Sequence, residues 1–278
     1  MSITFIGGGN MASALIGGLV ARGHVGGDFR VVEPAAPQRE RLAASFPGIG
    51  LHALPSAAAL AGARLVVLAV KPQKMREAAV ALAPHLPAAG RAAPVILSIA
   101  AGIRLADVGR WLGGATRLVR AMPNTPALIG KGISGVYAAA GTDAAGRALA
   151  AEVLEAGGDV VWVDDEAMLD AVTGVTGSGP AYVFYFLEAL EQAAIDLSFE
   201  PAVARRLAYA TVAGAIELAQ RSEHAPATLR AQVTSEGGTT QRALAVMEEG
   251  QVKPMIIAAV KAAAERAREL GDAFGAQG

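Results

Sequence analysis

Three successive glycines, Gly7-Gly8-Gly9, follow the apolar-rich run Ile3 to Ile6 and precede Asn10-Met11-Ala12. The spacing is G-x-G-x-x-A, set between a strand-like run and a helix-like run. Gly7 permits a tight turn, Gly9 lets backbone approach a pyrophosphate, and Ala12 is small enough for a helix to pack on a sheet. The first turn of that helix presents N–H groups without intrahelical partners, at the positive end of its dipole. The chemistry served is binding of a dinucleotide through its phosphates. The alternative is a glycine-rich turn that holds no ligand.

The next strand-like run ends in Val31-Val32-Glu33-Pro34, placing an acid 24 residues past Gly9. A carboxylate there accepts hydrogen bonds from an adenosine ribose, which favours NADH. Arg39 and Arg41 follow closely and could counter a 2′-phosphate, which favours NADPH. The two signals oppose each other, and both arginines also serve as solvated helix residues. Three further loops follow strand-like runs: Ala69-Val70-Lys71-Pro72, Ser98-Ile99-Ala100-Ala101-Gly102, and Arg120-Ala121-Met122-Pro123-Asn124-Thr125-Pro126. Such loops sit where open α/β sheets bind ligands. Lys71 precedes proline and is disfavoured as a helical residue.

Two glycine-rich stretches lie in the second half. Thr176-Gly177-Ser178-Gly179-Pro180-Ala181-Tyr182 and Thr234-Ser235-Glu236-Gly237-Gly238-Thr239-Thr240 each open a helix-like run. Each offers hydroxyls and N–H groups at a helix entrance, suited to a small carboxylate and equally to ordinary capping. The histidines, His24, His52, His85 and His224, are scattered with none paired at i,i+4, so no metal site is expected.

These residues need a framework, and the patterning supplies one. Short β-rich runs alternate with Ala-rich helical stretches up to about Asp164: strands at Ile3 to Ile6, Phe29 to Glu33, Leu65 to Val70, Val95 to Ile99, Arg117 to Ala121, Ser134 to Ala138 and Val160 to Val163. Helices are expected at Asn10 to Arg22, Pro37 to Ser45, Gln73 to Leu86, Leu105 to Leu112 and Ala144 to Ala156. That alternation predicts a mostly parallel, doubly wound α/β domain over 1–164. From 165 to 278 only helices are expected: Glu166 to Val175, Gly179 to Ile195, Pro201 to Arg221, Ala225 to Thr234, Thr239 to Glu249 and Lys253 to Ala273. Wide apolar faces on these helices predict burial against a second copy, hence at least a dimer.

Composition narrows the function classes. The 278 residues carry a net charge of −1, which gives no electrostatic case for nucleic acid. Hydrophobic residues are 53% of the chain and charged residues 18%, against overall disorder. There is no cysteine, which excludes disulfides and thiolate chemistry and fits a cytoplasmic protein. The short first apolar run, broken at Gly7, does not read as an export signal. No clean apolar run of about 18 residues exists, so no membrane span is expected.

In their joint order these segments resemble the pyrroline-5-carboxylate reductase family over essentially the whole chain. The resemblance rests on Phe5 to Met11, Ala69 to Pro72, Ser98 to Gly102, Arg120 to Pro126, Ala171 to Gly174, Gly177 to Tyr182, Ser222-Glu223-His224 and Val233 to Thr240. It implies an N-terminal Rossmann domain, an all-α C-terminal dimerisation domain, an active site formed across the dimer, and in several members decamers of five dimers. It implies NADPH or NADH contacts at Gly7, Gly8, Gly9, Asn10, Met11, Ala69, Val70, Lys71, Pro72, Ala100 and Ala101. Ser56 stands where the family commonly has an asparagine near the adenosine. Substrate contacts are implied at Ser235, Gly237, Gly238, Thr239 and Thr240, with Thr240 supplying a hydroxyl beside the substrate nitrogen and Glu223 a nearby carboxylate. The family usually has proline where this chain has Glu236, and a carboxylate there opposes an anionic substrate unless it points away.

The implied reaction is hydride transfer to the C=N carbon of pyrroline-5-carboxylate, giving L-proline. Backbone N–H groups near Gly237 and Gly238 would hold the substrate carboxylate, and Glu223 would favour a cationic nitrogen. One rival is a β-hydroxyacid dehydrogenase, which is expected to use a lysine in its helical domain. No lysine stands between Lys131 and Lys253. A non-enzymatic dinucleotide sensor is the other rival, and it would not need the hydroxyl-rich loops.

Overall fold

The computed structural model describes residues 2–87 and 93–276. The first part alternates strand and helix: β1 (Ile3–Ile6), α1 (Asn10–Ala21), β2 (Phe29–Val32), α2 (Ala36–Ser45), β3 (Gly50–His52), α3 (Ala57–Leu60), β4 (Leu65–Leu68), α4 (Met75–Leu82), β5 (Val95–Ser98) and α5 (Leu105–Trp111). It continues with β6 (Leu118–Met122), β7 (Gly132–Ala138), α6 (Ala144–Glu155), β8 (Gly158–Trp162) and α7 (Met168–Val172), which runs into a π-helical turn at Thr173–Gly177. Only helices follow: α8 (Gly179–Asp196), α9 (Pro201–Arg221), α10 (Pro226–Gln232), α11 (Thr239–Glu249) and α12 (Val252–Gly275).

The eight strands form one sheet in the order β3-β2-β1-β4-β5-β6-β7-β8. All neighbours pair parallel except β6 and β7. The doubly wound Rossmann-type sheet followed by an all-helical part is therefore present. Helices cover both faces, which explains the near-continuous apolar strands. One face packs Phe5, Phe29, Val67 and Leu97 against Leu15, Ile16 and Leu19 of α1 and Leu149 and Val153 of α6. The other packs Ile6, Val66, Leu68 and Ile96 against Met75 and Leu82 of α4 and Val108 of α5. The chain leaves β1 toward β2 and returns on the opposite side at β4. That reversal opens a crevice at the carboxyl ends of the two strands.

Three expectations need correction. β3 is an additional edge strand, Gly50-Leu51-His52, whose composition lacks strand character and which pairing to β2 creates. The helix expected from Gln73 to Leu86 is α4 flanked by 3-10 turns at Pro72–Lys74 and Ala83–His85. Pro84 has no N–H and its ring crowds the carbonyl four residues back, so the α-helix ends before it. The helix expected from Glu166 to Val175 begins at Met168 and changes to the π-turn at Thr173.

The chain divides into two compact units: 2–178 with 262–276, and 179–261. The first extends beyond Asp164 because α7 lies on the sheet. Leu169 is fully buried, and a Cβ at Gly135 of β7 would stand 2.6 Å from Val172 Cγ1. The end of α12 also belongs to this unit: Phe274 covers Gly102, and Arg104 donates to Asp272 Oδ1 at 2.6 Å. In the second unit α8 packs on α9, and Arg205 grips Glu191 through two nitrogens at 3.1 and 2.9 Å. No residue of α8 is buried, and Phe184, Tyr185 and Phe186 are exposed. Large apolar side chains exposed together in this way mark a protein interface. Among the described residues no helix is long and apolar enough to cross a membrane.

Candidate active site

The glycine turn has the geometry its spacing implies. Gly7 leaves β1 with φ +97°, and a Cβ there would lie 2.7 Å from the Ala69 carbonyl oxygen. No other residue type fits both the dihedral and the space. Gly8 packs against Leu42, where a Cβ would meet Cδ1 at 2.6 Å. Gly9 is exposed, and a Cβ on it would meet nothing within 4 Å. Gly9 is also the N-cap of α1, with no side chain capping the helix. The N–H groups of Asn10 and Met11 lie in the first turn, without intrahelical acceptors and at a positive helix end beside this open space, a fit for a pyrophosphate.

Glu33 follows β2 and is held by two backbone donors. Its Oε2 accepts the Gly8 N–H at 3.0 Å and its Oε1 accepts the Ala35 N–H at 2.9 Å. The carboxylate thus stands directly against the phosphate turn. Arg39 folds back, donating to the carbonyl oxygens of Glu33 and Pro34, each at 2.7 Å. Ser56 is the N-cap of α3, where its Oγ accepts the Ala59 N–H at 3.2 Å. Its hydroxyl hydrogen stays free to donate elsewhere.

Ala69 and Val70 leave β4, with the Ala69 N–H on the Ile6 carbonyl at 2.8 Å. Lys71 is extended, with φ −61° and ψ 146°, and exposed, as the residue before proline requires. Ala100 is buried and Ala101 half-buried beyond β5. The structure therefore brings Gly7 to Met11, Glu33, Ala69 to Pro72 and Ala100 to Ala101 to the carboxyl ends of adjacent strands, forming one crevice.

The second hydroxyl-rich entrance lies in the helical unit. Gly237 has φ +69°, and Gly238 is the N-cap of α11 without a side-chain cap. The Gly238 N–H bonds the Ser235 carbonyl at 3.1 Å, and the Gly237 N–H bonds Gln241 Oε1 at 2.6 Å. Both donors expected to serve a carboxylate are thus used within the loop. The free donors lie one step on, at the N–H groups of Thr239 and Thr240 in the first turn of α11. Thr240 is half-buried, while Ser235, Glu236, Thr239 and Glu223 are exposed. Among the described residues no group of three or more His, Asp or Glu could hold a metal ion.

Comparison with known proteins identifies the family. Residues 166–270 match a family model described as pyrroline-5-carboxylate reductase dimerisation, and residues 2–102 match one described as NADP oxidoreductase coenzyme F420-dependent. The pyrroline-5-carboxylate reductase of Pseudomonas aeruginosa is 43% identical over 98% of both chains. The chain belongs to the pyrroline-5-carboxylate reductase family. The Haemophilus influenzae member is 37% identical, again over 98% of both chains. The structure of the Coxiella burnetii member superposes with a TM-score of 0.87 at 35% identity, covering 97% of this chain and 98% of that one.

Membership of this reductase family leaves a second layer of residues that spacing alone did not reveal. Arg120 of β6 is only 4% exposed, and it donates to Glu166 at 3.1 Å and Asp170 at 3.4 Å. Glu166 Oε1 also accepts the Leu105 N–H at 2.8 Å. This cluster fastens the start of α7 to the sheet. Asn124, 9% exposed, fastens the π-turn beyond it. A buried arginine inside the apolar run Leu118 to Met122 was the available signal, since a buried charge requires partners.

Proposed function

We infer that this chain reduces L-1-pyrroline-5-carboxylate to L-proline with NADPH, the last step of proline biosynthesis, and that it is an oxidoreductase acting on a C=N bond. The carrying observation is the open Gly9 helix entrance, in a chain that matches the Pseudomonas aeruginosa reductase over 98% of both chains. NADPH is favoured by the match of residues 2–102 to an NADP oxidoreductase family. Glu33 beside the turn leaves NADH as a second coenzyme.

The coenzyme supplies the hydride, and the chain's own residues position and polarise. The Asn10 and Met11 N–H groups would bind the pyrophosphate, while Gly7, Gly8 and Gly9 shape the turn, the Gly7 and Gly8 donors being taken by the Val32 carbonyl and Glu33. Glu33, Ser56 and Ala69 to Pro72 would fix the nucleotide, and Ala100 and Ala101 would flank it. Ser235 to Thr240 would take the substrate carboxylate, with the Thr239 and Thr240 N–H groups as donors. The Thr240 hydroxyl would bond the ring nitrogen, and Glu223 would favour its protonated form. A protonated imine is already electrophilic, so no strong general acid is needed.

This reading divides the chain into a dinucleotide-binding domain, 1–164, and a substrate-binding dimerisation domain, 165–278, with the active site shared across a dimer. The exposed face of α8 supports the pairing. Assembly into decamers of five dimers and a cytoplasmic location belong to the same reading, and the cysteine-free composition suits that location. The test is steady-state oxidation of NADPH by pyrroline-5-carboxylate, with the reverse reaction on L-proline at alkaline pH and a hydroxyacid panel as control. Thr240→Ala is expected to lower kcat by about 10- to 100-fold with coenzyme affinity kept. Turnover of a hydroxyacid without any proline-dependent signal would refute the assignment.

A further inference from the structure

Two sequence motifs, Arg120 to Pro126 and Thr176 to Tyr182, have no role in the reading above. One side chain joins them. We propose that Asn124 is a positioning residue for hydride transfer: it fixes the π-turn Thr173–Gly177 as the wall of the coenzyme crevice at the end of β6. The inference rests on the reductase reading and deepens it.

Both ends of the buried Asn124 carboxamide are engaged. Oδ1 accepts the Ile133 N–H of β7 at 2.9 Å, and Nδ2 donates to the Thr176 carbonyl oxygen at 3.1 Å. The second bond answers a defect written in the sequence. The residue four positions after Thr176 is Pro180, which has no N–H to give. The carbonyl takes a donor from outside the helix instead. The turn also lies in direct contact with the sheet. A Cβ on Gly177 would lie 2.6 Å from Met122 Cε, and Val172 sits equally close to Gly135. Hydroxyls stiffen the turn from within: Thr173 donates to the Leu169 carbonyl at 2.7 Å and Thr176 to the Val172 carbonyl at 3.0 Å.

The position decides what this rigidity serves. In a sheet of order β3-β2-β1-β4-β5-β6 a dinucleotide straddles the reversal between β1 and β4. Glu33 after β2 marks the adenosine side, so the nicotinamide half falls toward β5 and β6. β6 pairs with β5, whose exit loop carries Ala100 and Ala101. The π-turn at the end of β6 therefore borders the reactive ring rather than the phosphates. Single-turn π-helical segments recur at functional sites. Misplacement of a reacting ring by about 1 Å costs roughly 100-fold in rate. Affinity, set chiefly at the glycine turn, is left almost unchanged.

The test uses the full-length enzyme and three variants. Asn124→Asp is isosteric: it keeps the acceptor for Ile133, loses the donor to Thr176, and sets a carboxylate against a carbonyl oxygen. Asn124→Ala loses both bonds, and Asn124→Ser keeps a shorter donor. For Asp and Ala, kcat is expected to fall about 10- to 100-fold. The Kd for NADPH, read by fluorescence titration, should stay within about twofold, because the phosphate donors are untouched. The hydride isotope effect with deuterated NADPH should rise, and the Ser variant should retain more kcat than Asp. If Ala does not fold, Asp and Ser carry the comparison, since Asp preserves the bond to β7. A lowered Tm with kcat per folded molecule and isotope effect unchanged would make Asn124 purely structural and overturn the proposal. Weakened NADPH binding with kcat unchanged would overturn it as well. Wild-type protein without turnover of pyrroline-5-carboxylate would instead remove the reductase reading, and this inference with it.

Discussion

Replacing Arg120 by methionine tests whether the cluster beneath α7 holds the reductase together. The guanidinium is 4% exposed and faces Glu166 and Asp170, whose side chains are 22% and 14% exposed. At an effective dielectric near 20, contacts of 3.1 and 3.4 Å correspond to a gross attraction of about 5 kcal/mol each. Desolvation of three charged groups and repulsion between the two carboxylates offset most of it. What remains measurable is the cost of leaving two carboxylates without their cation, about 3–5 kcal/mol for a buried pair. Both carboxylates retain some water, which places the expected loss at the lower end, about 3 kcal/mol. At roughly 2–4 °C per kcal/mol for a chain of this size, Tm should fall by about 6–12 °C. Thermal unfolding followed by circular dichroism reads this directly. Amide exchange should place the loosening at α7 and the π-turn rather than at β1 or α1. A fall of less than about 2 °C, or exchange spread evenly over the sheet, would show that water already serves the two carboxylates.

Two further substitutions examine the crevice. Gly7→Ala forces a side chain into φ +97° and to 2.7 Å from the Ala69 carbonyl oxygen, a strain of about 1–3 kcal/mol before any clash. NADPH affinity measured by fluorescence should drop at least about tenfold, and unchanged affinity would mean that the phosphates bind elsewhere. Glu33→Ser removes a charge from beside the phosphate turn, while Arg39 is already committed to two carbonyls. The ratio of kcat/KM for NADPH over NADH should rise by about tenfold or more, and a constant ratio would place the ribose away from Glu33.

The sequence by itself determined the plan of the protein. Strict local requirements were readable in Gly7 to Ala12, in the apolar strands, and in Lys71-Pro72, because dihedral limits and two-faced burial act on residues close in the chain. The joint order of those segments also carried the family. Contacts between segments remote in the chain were decided only by tertiary structure. Gly50 to His52 became a strand through pairing with β2. Within one loop, too, the folded geometry chose the partners: the Gly237 and Gly238 donors went to Gln241 and Ser235, which left those of Thr239 and Thr240. Arg120 found its carboxylates 46 and 50 residues away, and Asn124 found the Thr176 carbonyl 52 residues on. Spacing encodes the geometry of a single helix or turn. It does not encode which buried polar group will meet which, because that choice is made when whole elements pack and each such group must find a partner.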